Sequence, residues 1–240
     1  LTSICAAAYW VAGMTLFDAI CHSFSTIAIG GFSTHDASIG YFDSAMIESI
    51  AIFFMALAGI NFGLHFFAFK NLSPRVYFRD DEVRFYLAIL LVASNAVIIG
   101  LWYENTYSAG DSIRIGLFHT FSIFTTTGFA TDDFANWPGM LPFLVFFGAF
   151  TGACAGSTGG GMKVMRVLLI CKQGLREVHR LIHPHAVFPV KVNQRRMPEQ
   201  IMESVWGFFS VYVIVFIFMQ LALIMTGMDF VTAFSAVGAT

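Results

Sequence analysis

His22-Ser-Phe-Ser-Thr-Ile-Ala-Ile-Gly-Gly-Phe32 recurs without a gap, 97 residues further on, as His119-Thr-Phe-Ser-Ile-Phe-Thr-Thr-Thr-Gly-Phe129. Carried on to Asp36 and Asp133, the copies agree at seven of fifteen positions: His22/His119, Phe24/Phe121, Ser25/Ser122, Gly31/Gly128, Phe32/Phe129, Thr34/Thr131 and Asp36/Asp133. Ordinary residue usage gives about one identity in such a window, so an internal repeat organises the chain. Each copy is an apolar segment too short to cross a bilayer, ending in a glycine-containing loop. Longer apolar runs flank both copies, in the order span, short helix, loop, span.

The surrounding composition identifies the solvent. Of 240 residues, 57% are hydrophobic and 12% charged, with a mean hydropathy of +0.73, whereas a soluble domain is about one-quarter charged. With 28 Phe and 11 Met against 13 basic groups, lipid replaces water as the main solvent and a soluble enzyme is disfavoured. The net charge of −2 gives no sign of a nucleic-acid partner. Cys5, Cys21, Cys154 and Cys171 lie far apart, mostly in apolar sequence, and read as small hydrophobes. Ile47 to Phe69, Phe85 to Tyr103, Leu141 to Cys171 and Val205 to Thr226 each supply the roughly 20 residues a crossing needs, and Leu1 to Met14 reads as the end of another. Leu1 opens without a Met or a basic n-region, and the last residues break off inside an apolar segment. The chain is therefore expected to come from the interior of a longer protein.

Charge placement sets the orientation. Twelve of the thirteen basic residues fall within Lys70 to Arg84 or Lys163 to Arg196, which the positive-inside rule places in the cytoplasm. Arg114 remains outside, beside Glu104 and Asp111. Two crossings between the basic stretches leave Asp111 to Trp137 external yet largely apolar, which predicts a re-entrant half-helix.

That unit points to cation passage. A half-helix ending at mid-membrane aims its C-terminal carbonyls, worth about half a negative charge, at the bilayer centre. The loop that follows is non-helical, which is tolerated at that depth only where it is buried in protein or lines water. Glycine lets successive carbonyls face one axis and replace an ion's hydration shell. Thr125-Thr-Thr-Gly-Phe129 and Ala28-Ile-Gly-Gly-Phe32 fit this role, and Asp36 and Asp133 are expected at the outer mouth, where they would concentrate cations.

Phe17 to Asp36, Phe118 to Asp132 and Gly152-Ala-Cys-Ala-Gly-Ser-Thr-Gly-Gly-Gly-Met-Lys163 together resemble, along the whole chain, the TrkH family of bacterial Trk potassium uptake systems, within a superfamily that includes the Ktr and HKT transporters. The resemblance implies an all-α integral membrane protein of the multi-pass inner-membrane type. Four membrane-pore-membrane repeats, with re-entrant pore helices and extended filter loops, would surround one pseudo-four-fold pore in a single chain. On that template, 1–69 is the second repeat from the end of its first span and 70–84 a cytoplasmic linker. The third repeat, with a broken second span, is 85–171, followed by a linker at 172–200; the fourth begins at 201–240 and stops in its pore helix. The implied potassium-coordinating backbone is Ile29, Gly30 and Gly31 in one copy and Thr126, Thr127 and Gly128 in the other. Potassium would be cargo rather than cofactor. The family further implies a homodimer and a cytoplasmic nucleotide-binding ring, TrkA, landing on the basic loops, which by themselves need only fix topology and meet lipid headgroups.

Leu141 to Cys171 is too long for one straight crossing and is interrupted by Gly152, Gly156, Gly159, Gly160 and Gly161, among others. Such density favours an unwound middle, since glycine costs about 1 kcal/mol per helical position. The functional reading is a flexible loop beneath the filter that obstructs or clears the pore; the alternative is close helix packing through small residues. A phosphate loop is refused, because Met162 precedes Lys163 and Val164 stands where Ser or Thr is required. His179, His183 and His185 have metal-like spacing but read as a solvated linker, and His22 and His119 read as hydrogen-bonding anchors of their helices. An intramembrane enzyme lacks an acid to match Ser25 or Ser122. The leading function is potassium uptake through a gated pore. An ion-coupled symporter with alternating access is the alternative, disfavoured because no buried acid is expected within Ile47 to Phe69 or Leu141 to Cys171.

Overall fold

The computed structural model describes residues 1–183 and 186–239. It is helical apart from one short hairpin, in the order α1 (Thr2–Val11), α2 (Leu16–Ala28), α3 (Ala45–Ala58), α4 (Phe62–Lys70), α5 (Arg75–Arg79), α6 (Asp81–Tyr103), α7 (Ala109–Phe124), α8 (Leu141–Thr151), α9 (Val164–Ile182), α10 (Glu199–Met225) and α11 (Phe230–Ala239). The hairpin pairs β1 (Lys191–Val192) with β2 (Arg195–Arg196), between α9 and α10. Two compact units result, one covering Leu1–Val164 and the other running from Met165 onward.

Helices α2 and α7 carry the repeated sequence, and both begin on reciprocal caps. The Thr15 hydroxyl donates to Asp18 Oδ2 at 2.6 Å while Asp18 N–H donates back to Thr15 Oγ1 at 3.1 Å. Ser108 and Asp111 make the same exchange at 2.7 and 3.3 Å. The cap hydroxyl oxygen satisfies an orphan N–H, and the acid three residues on orients that hydroxyl and complements the helix dipole. With 13 and 16 residues, the two helices rise about 20 and 24 Å, short of a hydrocarbon core of about 30 Å.

Helices α6 and α10 are long and apolar enough to cross a membrane. Helices α3 and α4 meet that test only together, bent by 94° across residues 59–61. The apolar run Ile47 to Phe69 is thus not one straight crossing. Asn61 starts a new helix there, its side chain accepting from Gly63 N–H at 2.7 Å. Backbone groups freed at the bend find partners in the segment 152–163: Cys154 N–H donates to Gly59 O (2.9 Å) and Phe62 N–H to Gly156 O (3.0 Å). The expected break between Leu141 and Cys171 is present, between α8 and α9, and α9 then runs well past Cys171 into the basic stretch. Cys5 and Cys154 are buried, as small hydrophobes should be, whereas Cys171 is exposed on α9.

In the first unit, one apolar core joins α1, α2 and α3 through Tyr9, Ile27, Ile47 and Met55, and reaches Phe118 and Phe129 of the second copy. A second places Tyr86 and Leu90 of α6 against Phe124, Cys154 and Val164. A third packs Val97 and Leu101 against Leu141 and Val145 of α8. Side chains of both copies and of 152–163 therefore share one packed body. In the second unit, Arg166 lies 4.0 Å over the ring of Phe208, and Phe216 packs edge-on against Phe234.

Candidate cation-coordination site

The sequence repeat becomes a geometric one at the two glycine loops. After α2, Ile29 N–H donates to Thr26 O and Gly30 N–H to Ser25 O, at 3.2 and 2.8 Å. After α7, Thr126 N–H donates to Ile123 O and Thr127 N–H to Ser122 O, at 2.9 and 2.8 Å, the same pattern in the same register. Positive φ falls at Ile29 (54°) and Gly31 (69°) and, in register, at Thr126 (67°) and Gly128 (86°), whereas Gly30 and Thr127 between them stay at negative φ. A β-branched residue at positive φ is an outlier, and holding one costs on the order of 1–3 kcal/mol. Here both copies hold one at the same step. The two loops thus share one backbone path, with φ changing sign at each of the three successive residues.

The loops also touch. A Cβ added to Gly31 would lie inside contact distance of Thr127 O and 3.0 Å from its carbonyl carbon. Of the six predicted coordinating residues, Gly31 and Thr127 are thus brought backbone to backbone. The copies differ in surroundings: Phe129 is fully buried, whereas Phe32 is 82% exposed.

The two histidines tether the chain on each side of a loop. His22 Nδ1 meets Asp18 O at 2.8 Å and Nε2 meets the Ser33 hydroxyl at 2.9 Å. His119 Nδ1 meets Ile115 O at 3.0 Å and Nε2 meets Asp132 O at 2.9 Å. Each ring joins its helix to the segment leaving the loop, which is the anchoring role expected. Ser122 donates to Phe129 O at 2.6 Å, so its hydroxyl proton is committed to a backbone carbonyl.

Asp36 and Asp133 are exposed on the segments that leave the two loops. Asp133 also has a local task, accepting from Ala135 N–H (3.0 Å) and Asn136 Nδ2 (2.9 Å) to start a short 3-10 turn. Beside it, the Tyr107 hydroxyl donates to Asp132 Oδ2 and holds that carboxyl below the usual carboxylate range. A depressed carboxylate contributes stability that is present above its unfolded pKa and lost as pH falls through the lower folded value. Acidification is therefore expected to loosen this loop only below the pH where a free carboxylate titrates. Tyr107→Phe should move the onset upward, as read by hydrogen exchange of residues 130–137.

Segment 152–163 lies against both loops. Thr158 Oγ1 donates to Ile27 O at 2.8 Å, and Gly160 N–H donates to Thr126 Oγ1 at 2.7 Å. A Cβ on Gly159 would lie 2.6 Å from Ala153 Cβ and 2.9 Å from Thr125 O, so the segment approaches the second loop backbone to backbone. Gly152, Gly156, Gly160 and Gly161 belong to the same turn-rich path. Its far edge is held by Glu82, whose carboxylate accepts from Ala155 N–H at 2.6 Å.

Sequence reasoning missed a second polar group. Glu48, inside the run where no buried acid was expected, is 3% exposed on α3. Its carboxylate takes a forked pair of bonds from Arg114 on α7, at 2.7 Å from Nε and 2.8 Å from Nη2. Arg114 therefore pairs with Glu48 and, at 3.0 Å, with Asp43, rather than with its sequence neighbours. Two opposite charges set singly in apolar helical sequence were the available signal, because a buried charge needs a partner. In the second unit, His179 Nδ1 meets Leu175 O at 2.7 Å within α9, and His185 lies outside the described residues. Among the described residues, no group of three His, Cys, Asp or Glu is placed to hold a metal.

A sequence model of the TrkH family, described as cation transport protein, matches residues 1–240. The chain is 52% identical over 240 residues to the Trk system potassium uptake protein TrkH of Halomonas elongata, covering 100% of this chain and 50% of that protein. It is 52% identical over 241 residues to the protein of the same name from Escherichia coli K12, with the same coverage. To the Trk system potassium uptake protein TrkG of that strain it is 38% identical over 235 residues, 98% of this chain and 48% of the other. The crystal structure of the potassium transporter TrkH from Vibrio parahaemolyticus superposes with a TM-score of 0.96 at 52% identity, covering 100% of this chain and 52% of that one. The chain thus spans about half the length of the relatives it matches.

Proposed function

The chain belongs to the TrkH family of cation transport proteins, and on that footing we propose that it supplies part of a gated, channel-like pore for potassium uptake across the bacterial inner membrane. The carrying observation is the register of positive φ at Ile29 and Gly31 with that at Thr126 and Gly128. In this reading α2 and α7 are re-entrant pore helices, and the carbonyls of Ile29, Gly30, Gly31, Thr126, Thr127 and Gly128 form two sides of a pseudo-four-fold filter. Asp36 and Asp133 draw cations to the outer mouth. Potassium is cargo, and no cofactor is required. The whole protein would cross the membrane many times, pair as a homodimer and meet a TrkA-like nucleotide-binding ring on its basic cytoplasmic loops.

Segment 152–163 acts as the gate, because it lies against both loops and carries Gly152, Gly156, Gly159, Gly160 and Gly161. Symport would need an acid free to exchange protons within the expected spans, and Glu48 is instead occupied by Arg114.

Current through planar bilayers containing the full-length protein tests the pore. Potassium flux far above the turnover of carriers is expected, and fixed stoichiometric coupling to protons or sodium would refute it. Replacing Gly159, Gly160 and Gly161 together by alanine should raise potassium leak, since a side chain at Gly159 presses on Thr125 O and drives the segment off the filter. Unchanged flux in that variant removes the gate assignment.

A further inference from the structure

Segment 152–163 is held in two separable ways. Its base is fastened by backbone bonds to the bend after α3 and by the Glu82 carboxylate on α6. Its tip is fastened to the glycine loops and their helices by two bonds that each use a threonine hydroxyl. Thr158 Oγ1 donates to Ile27 O in the last turn of α2 at 2.8 Å, with Ala58 O at 3.4 Å, and Thr126 Oγ1 accepts from Gly160 N–H at 2.7 Å.

The repeat sharpens the role of Thr126. Its counterpart in register is Ile29, which adopts the same positive φ but offers no hydroxyl. Backbone coordination therefore does not require a hydroxyl at this step, and the bond to Gly160 is a use that only the second copy has. Thr158 acts on the other copy. Its hydroxyl covers a carbonyl at the negative end of the α2 dipole, so releasing it would bare that carbonyl to the path the tip vacates. Clearing the passage and providing a cation with a partner would then be one event.

We propose that Thr126 and Thr158 are positioning residues that latch the gate to the filter, and that potassium flow requires both hydroxyl bonds to break. The proposal rests on the gate reading of 152–163 and adds to it the atoms that set the closed state. A net hydrogen bond is worth about a two- to tenfold change in an equilibrium. In single-channel recordings of the full-length protein, Thr158→Val should therefore raise open probability by about that factor, and Thr158→Ser, which restores the hydroxyl, should return it toward the starting value. Thr126→Val keeps the β-branched shape and removes only the acceptor, so it should also favour opening. It serves as the test if the Thr158 variant fails to assemble. An open probability left at the wild-type value in Thr158→Val and Thr126→Val overturns the latch. If the triple alanine variant at Gly159 to Gly161 still alters flux in that case, the gate reading survives without the latch; if it does not, both fall.

Discussion

Replacing Gly31 by alanine in the full-length protein is expected to abolish potassium-selective uptake. Two independent penalties meet at this position. Its φ of 69° is left-handed, which costs an L side chain about 1–2 kcal/mol. In addition, the new methyl would press on the Thr127 carbonyl, a backbone group with no rotamer through which to yield. One loop must move, and whichever moves carries a proposed coordinating carbonyl with it. Because about 1.4 kcal/mol is a tenfold change in preference, a small displacement is enough to erase discrimination between potassium and sodium. Gly128 has the positive φ but no described atom within 4 Å of an added Cβ, so within this chain it carries only the first penalty. Bi-ionic reversal potentials measure the outcome directly. A Gly31→Ala protein with wild-type reversal potential and normal flux would show that these carbonyls do not select the ion.

Much of this arrangement was legible in the sequence because it is local. The shift of 97 residues places the histidines, the turn from helix to loop and the glycines in register, and the turn itself is closed by backbone bonds to residues only a few positions away. The break before α9 was legible for the same reason, since consecutive glycines disfavour helix whatever surrounds them. The bend at 59–61 was not. It holds a single glycine, and its signal was Asn61, a helix-starting residue inside an otherwise apolar run. Its stability depends on backbone bonds from Cys154 and to Gly156, far away in sequence. Differences between the copies also needed the structure. Asp18 accepts through its side chain from Thr34 at 2.6 Å, whereas Ile115, its counterpart in register, has no side-chain oxygen to offer, and the Thr131 hydroxyl is left buried without a described partner. A repeat in sequence thus specifies a shared backbone, while each copy's side chains answer to different neighbours.

Removing Arg114 is expected to be the most destabilising single charge change in this half of the protein. The guanidinium joins α7, which leads into the second loop, to α3, which follows the first, so it braces the elements that flank the two glycine loops. Glu48 is the vulnerable partner. With its side chain 4% exposed, it has no solvent to fall back on once the fork is gone, and breaking a buried pair from one side costs about 3–5 kcal/mol. Arg114→Leu should therefore lower the melting temperature of the detergent-solubilised protein and reduce its membrane yield. Arg114→Lys should recover only part of the loss, because an ammonium cannot reproduce the two-pronged contact. Asp43, whose side chain is 88% exposed, should tolerate Asn with a change of no more than about 1 kcal/mol. The decisive comparison is Arg114→Leu with Glu48→Leu, since replacing both members of a buried pair by packed apolar groups is often neutral or stabilising. Recovery of the melting temperature in the double variant locates the damage in the stranded carboxylate, and a single Arg114→Leu protein that melts like wild type would show that the pair does not brace the two copies. If the brace also sets filter geometry, the double variant should melt normally yet conduct with altered ion preference, separating the fork's role in stability from its role in aligning the loops.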